Sequence, residues 1–158
     1  MRKRIVDRRA SELSRDSGQG WLDLQQLATV EVTSEDPHFP IDAVFGSDRD
    51  AGWRASQSGE QLIRVIFDQP VSIRRIQLYF REPDLERTQE FTLRWSSEDG
   101  GATKEIVRQQ WNFSPTGSTS EVEDYQVNLH DVSVLELAIK PDLGGREVPA
   151  TLAMWRLA

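Results

Sequence analysis

Residues 90–101 read EFTLRWSSEDGG, and their pattern decides the fold class. Phe91, Leu93 and Trp95 alternate with Glu90, Thr92 and Arg94. That is the period of two a strand needs to turn one face to a core and the other to solvent. Asp99-Gly100-Gly101 supplies a tight turn, and KEIVRQQWNF (104–113) follows as the hairpin partner. Upstream, GEQLIRVIFDQP (59–70) is a mostly apolar run closed by Pro70. VSIRRIQLYF (71–80) changes phase in its middle: Val71 and Ile73 lie on one parity, Ile76, Leu78 and Phe80 on the other. A bulge near Arg74-Arg75 would return the apolar set to the core side.

Downstream, SPTGSTSEVED (114–124) reads as a loop before two strands, YQVNLH (125–130) and SVLELAIKP (133–141). DLGGREVPA (142–150) and TLAMWRLA (151–158) close the chain. Near the start, WLDLQQLATVEVTS (21–34) passes from a helical turn into a strand on which Val30 and Val32 share a face. No segment after residue 30 keeps a helical period for three turns. Seven or eight short antiparallel strands, with turns every ten or so residues, predict an all-β sandwich, with an immunoglobulin-type topology as the competitor.

The length of 158 residues fits one domain with a real core. SRDSGQG (14–20) is a breaker-rich hinge, which divides the chain into a basic N-terminal arm, residues 1–20, and a β-sandwich domain, residues 21–158. The absence of cysteine excludes disulfides, thiol nucleophiles and cysteine metal sites, and suits a cytoplasmic protein. The arm has no apolar h-region, and no later run approaches a membrane span. Net charge is -7, yet residues 1–15 carry +4, so the rest is strongly acidic and would repel a nucleic-acid backbone.

In order and spacing, AVFGSDRDAGW (43–53), residues 59–80, FTLRWSSEDGG (91–101), YQVNLHDVSVLELAIKPD (125–142) and TLAMWRLA resemble the discoidin, or coagulation factor 5/8 C-type, domain family. The resemblance covers residues 24–158. It implies a galactose-binding-like jelly-roll β-sandwich of about eight antiparallel strands. It also implies a module that binds sugars, phospholipid surfaces or protein partners through loops at one end. Many members hold a calcium ion in the loop that PIDAVFGSDRDAGWRAS (40–56) resembles. Here Phe45 stands before Gly46 where the family has Asp, and Leu152-Ala153-Met154 lacks the family's late Glu. The expectation is a loop that keeps its shape without an ion, Phe45 plugging the core, with no metal and no cofactor.

Catalytic motifs are missing: there is no nucleophile elbow, zinc helix, phosphate loop or dinucleotide fingerprint. The reading is a non-enzymatic binding module for carbohydrate or another polar ligand. The alternative is a protein-interaction or structural subunit of a larger assembly or an oligomer, without nucleic-acid binding. Candidate ligand-binding residues come from three loops, EDPHFPID, SDRDAGWR and FREPDLERTQE. They are His38, Arg49, Asp50, Arg81, Glu82 and Arg87, with Trp111 as an aromatic at a strand end. Trp95 and Trp155 are assigned to the core side by their parity, and the resemblance implies that Trp53 is a core residue or loop anchor.

Overall fold

The computed structural model describes residues 20–48 and 50–158. A single helical turn, α1 (Leu24–Leu27), leads into β1 (Ala28–Val32). A 3-10 turn at Ile41–Phe45 precedes β2 (Trp53–Ser58), β3 (Gln61–Arg81), β4 (Arg87–Ser96) and β5 (Lys104–Phe113). β6 (Ser120–Lys140), β7 (Pro149–Leu152) and β8 (Met154–Leu157) complete the chain. The fold is all-β, as the alternation at residues 90–101 requires. No helix among the described residues is long and apolar enough to cross a membrane.

Two long strands organise everything else. β3 and β6 pair antiparallel along their whole lengths, from Gln61 opposite Ile139 to Arg81 opposite Ser120. The first half of β3 lies between β1 and the second half of β6, which in turn carries β4 and then β5. The second half of β3 lies between β8 and the first half of β6. Each long strand therefore serves both layers of the sandwich. The crossing point is marked by register shifts between Ile66 and Val71, Val71 and Ile73, and Ile73 and Arg75. The expected phase change near Arg74-Arg75 is thus a real irregularity, and it turns Ile76, Leu78 and Phe80 inward. Phe80 stacks on Phe91 of β4 with ring centroids 5.3 Å apart, joining one layer to the other.

The structure corrects two boundaries. Pro70 does not end a strand, because it falls within the first register gap, where no ladder donor is needed. Residues 120–124, expected as loop, are paired with β3 and continuous with residues 125–140 as one strand. Asp131, with φ of +55°, sits at the bend of β6, a conformation Asp tolerates better than most side chains. Trp53 and Trp155 are buried in the core, whereas Trp95 is half-buried with the Lys104 ammonium 5.4 Å from its ring. Glu90 and Thr92, expected to face solvent, are covered; Glu90 accepts a hydrogen bond from Gln110 across the β4–β5 pair.

Candidate functional site

Residues 33–41 form a loop held by its own polar side chains. The Ile41 amide donates to the Glu35 carboxylate at 2.7 Å and the His38 amide to Asp36 Oδ1 at 2.9 Å. Backbone hydrogen bonds from Asp36 to Arg54 and from Arg54 to Phe39 tie this loop to the start of β2. Beneath it the buried Trp53 indole donates to the Ser34 carbonyl at 3.0 Å. Gly52 makes the approach possible. Its φ is +136°, and a Cβ there would stand 2.9 Å from the Leu152 carbonyl oxygen. Only glycine fits.

These pieces border a cleft of about 490 Å³. Phe39, Arg54, Arg81, Leu85, Pro149 and Thr151 are among its walls. Phe39 and Leu85 are exposed apolar side chains, 37% and 41% accessible, on its walls beside Arg54 and Arg81. The Arg54 guanidinium covers the Phe39 ring at 4.6 Å. Arg81 reaches Asp50 at 3.0 Å, which brings two of the expected residues together.

Glu82 borders the cleft, but its charge is turned inward. It accepts from Arg87 Nε at 2.8 Å, and the Arg87 side chain is entirely buried. Arg87 Nη1 also donates to Gln89 Oε1 at 3.0 Å and to the Pro141 carbonyl at 2.9 Å, and Nη2 to Thr151 Oγ1 at 3.2 Å. Its guanidinium lies over the Phe113 ring at 4.7 Å. Sequence reasoning placed Glu82 and Arg87 as ligand-facing loop charges. In the structure they brace each other and join the 82–86 loop, the 141–148 loop and β7, because a buried guanidinium must satisfy its donors. Asp142 adds to this brace: amides of Arg146 and Thr88 donate to its carboxylate and hold it below the usual carboxylate range.

The remaining expected residues are dispersed. His38 is exposed beside Phe39 but is not part of the cleft lining. Trp111 is half-buried, and its indole donates to Ser118 Oγ at 3.1 Å, away from the cleft. Arg49 lies outside the described residues, as does most of the basic arm. Leu85, Arg54 and Thr151 were missed as site residues. Leu85 carried a signal, being a large apolar residue within the polar stretch REPDLERTQE (81–90).

Phe45 is half-buried with its ring 6.0 Å from that of Trp155, so this aromatic packs where the loop meets β8. Among the described residues no group of three or more His, Cys, Asp or Glu side chains is arranged to hold a metal ion. His130 is exposed, with Nδ1 3.4 Å from Ser72 Oγ.

No protein-family model matches the chain. The chain is 30% identical over 141 residues to anaphase-promoting complex subunit 10 of Schizosaccharomyces pombe, covering 88% of this chain and 74% of that protein. Among solved structures, a family 32 carbohydrate-binding module from C. perfringens NanJ, in complex with galactose, is similar with a TM-score of 0.64 at 12% identity. That match covers 87% of this chain and 96% of the module. A pectin-binding carbohydrate-binding module is similar with a TM-score of 0.61 at 16% identity, over 84% of this chain and 90% of its own. At these identities the likeness is one of fold, and the fold is the galactose-binding-like β-sandwich that the sequence resembles.

Proposed function

The chain belongs to the anaphase-promoting complex subunit 10 family, and from that premise we propose that it is a non-catalytic interaction subunit of a larger protein assembly. The cleft beside Gly52 is its recognition site, and the occupant is an extended segment of a partner polypeptide. The arrangement of Phe39 and Leu85 carries this reading. Two exposed apolar side chains border a cleft with guanidinium groups beside them, which suits an apolar side chain flanked by backbone carbonyls or a carboxylate. A cytoplasmic place of work goes with the same reading and with a chain that has no cysteine.

Carbohydrate is the second reading, favoured by Arg81 beside Asp50, a pair able to hydrogen-bond vicinal hydroxyls. It is supported less well. The exposed aromatic in the cleft is Phe39, and Arg54 already covers its ring. The larger Trp53 is buried and offers no face to a sugar.

A photoreactive side chain introduced at position 85 in the full chain tests the proposal. Isolation from the native source at mild salt should give co-purifying proteins in fixed stoichiometry, one of them crosslinked at that position. Arg54→Ala should lower the crosslinking yield. Binding to a glycan array, competed by free sugar and unaccompanied by a crosslinked polypeptide, would replace this reading with the second.

A further inference from the structure

The brace behind the cleft continues inward as a buried polar chain. Beyond Arg87, Gln89 donates from Nε2 to Glu121 Oε1 at 3.2 Å. Gln89 is fully inaccessible and Glu121 1% exposed. Glu121 stands opposite Phe80 in the β3–β6 register, and Glu123 opposite Leu78, so both acids share the face of β6 that looks into the sandwich. Glu123 Oε2 accepts the Tyr125 hydroxyl at 3.2 Å. Glu121 Oε2 is buried and receives no hydrogen bond from any donor.

A fully buried carboxylate oxygen without a donor is costly, and a second carboxylate beside it raises the cost. A proton resolves both problems. Placed on Glu121 Oε2, it converts the orphaned acceptor into a donor directed at the neighbouring Glu123 carboxylate. Burial first, and Glu123 second, push the Glu121 carboxyl up to about 8, against the smaller opposing pull of Gln89 and Arg87. The titratable and charged groups around it are Glu123 and Tyr125 on β6 and Arg87 on β4. β3 contributes the uncharged Leu78 and Phe80, and β5 the uncharged Phe113 beneath Arg87.

We propose that the Glu121–Glu123 pair is a proton-operated latch on the recognition cleft. While Glu121 holds its proton, the pair carries one negative charge, and Arg87 stays between Glu82 and Thr151. When Glu121 releases that proton to solvent, a second buried negative charge draws the Arg87 guanidinium toward Gln89 and Glu121. Its hold on Glu82 and Thr151, both of which border the cleft, then weakens. The inference rests on the cleft being the recognition site, since only then does a change at Glu82 and Thr151 regulate anything.

The test is carboxyl-carbon and arginine side-chain NMR on the full chain without partner, from about pH 6 to about pH 9.5. One glutamate carboxyl should titrate with a midpoint near 8, and the Arg87 Nε–H and Thr151 amide signals should move with that midpoint. Glu121→Gln should abolish all three changes. Glu123→Gln, which removes the like charge, should shift the midpoint downward and serves if the first variant does not fold. A chain in which every glutamate titrates below about pH 6 overturns the latch. So does a titration near 8 that leaves Arg87 and Thr151 unmoved. Because no partner is present, these results stand apart from the crosslinking at position 85. A latch without a crosslinked polypeptide would break the recognition reading, and a crosslink without the titration would break the latch.

Discussion

The second half of β6 turns Val132, Leu135, Leu137 and Ile139 into the core, all but inaccessible to solvent. The first half, continuous with it and paired to the same strand, turns Glu121, Glu123 and Tyr125 toward the same interior. One half is held by burial that is insensitive to conditions. The other also packs Val127 and Leu129 against the core, but adds a buried hydrogen-bonded arrangement that involves Gln89 and Arg87 from β4 and, in the proposed latch, a proton. A single strand thus combines a fixed segment with a conditional one, and the conditional segment is the one connected to the cleft.

The largest test of that contrast is Leu137→Ala. Leu137 is fully buried opposite both Ile63 and Leu93, where collapse around a void is restricted from two sides. Truncation should cost about 2–5 kcal/mol, read from urea unfolding, and the loss should be the same at every pH from about 6 to about 9. A loss that changed with pH would show that the two halves are not separable.

The contrast also accounts for what the sequence discloses. The β4–β5 hairpin is legible because Phe91 and Leu93 alternate with polar residues and a glycine turn follows. The bulge in β3 is legible because Ile73 and Ile76 lie on opposite parities. Residues 120–124 of β6 are not, because their inward positions are Glu121 and Glu123, and an acid on the core side reads as loop in any hydrophobic pattern, whereas 125–130 are legible as strand. Arg87 misleads for the same reason. Its burial depends on Pro141 and Thr151, more than fifty residues away, which no local window reveals. Arg81 and Phe39 are legible as residues of candidate loops, whereas Leu85 shows only as an apolar residue in a polar segment, and its place depends on the facing wall of the cleft.

A middle-sized effect comes from pH. Glu121 is raised from 4.5 to about 8 in the folded chain, so the folded state binds a proton that the unfolded chain has already released across that interval. Its contribution to stability is complete below about pH 4.5 and fades as pH rises to about 8. Asp124, lowered by Arg75, and Asp142, lowered by the Arg146 and Thr88 amides, act in the opposite sense. Their contribution is complete above the ordinary Asp value and is lost as pH falls, so the limbs separate. Urea midpoints between about pH 5 and about pH 8 should fall by the equivalent of about 3–4 kcal/mol, and Glu121→Gln should flatten that slope. An unchanged slope in the variant would place the pH dependence elsewhere and leave the first half of β6 as fixed as the second.

The smallest effect concerns the basic arm. The Trp21 ring lies 4.9 Å from the Arg75 guanidinium and 5.7 Å from that of Arg156, and Arg75 makes two hydrogen bonds to Asp124 on the first half of β6. Trp21 therefore has its own anchor on β3 and β8. Residues 2–18 contain only Ile5, Val6 and Leu13 as sizeable apolar groups, too few for a core of their own. We propose that they are dispensable for folding, and that deleting them shifts the thermal midpoint by less than about 4 °C, near 1 kcal/mol for a chain of this size. Charge determines the sign. Removing the arm's positive charge from a strongly acidic body increases self-repulsion, so the midpoint should fall slightly at low salt and recover at about 0.5 M salt. A fall of more than about 10 °C that salt does not restore would make the arm part of the fold.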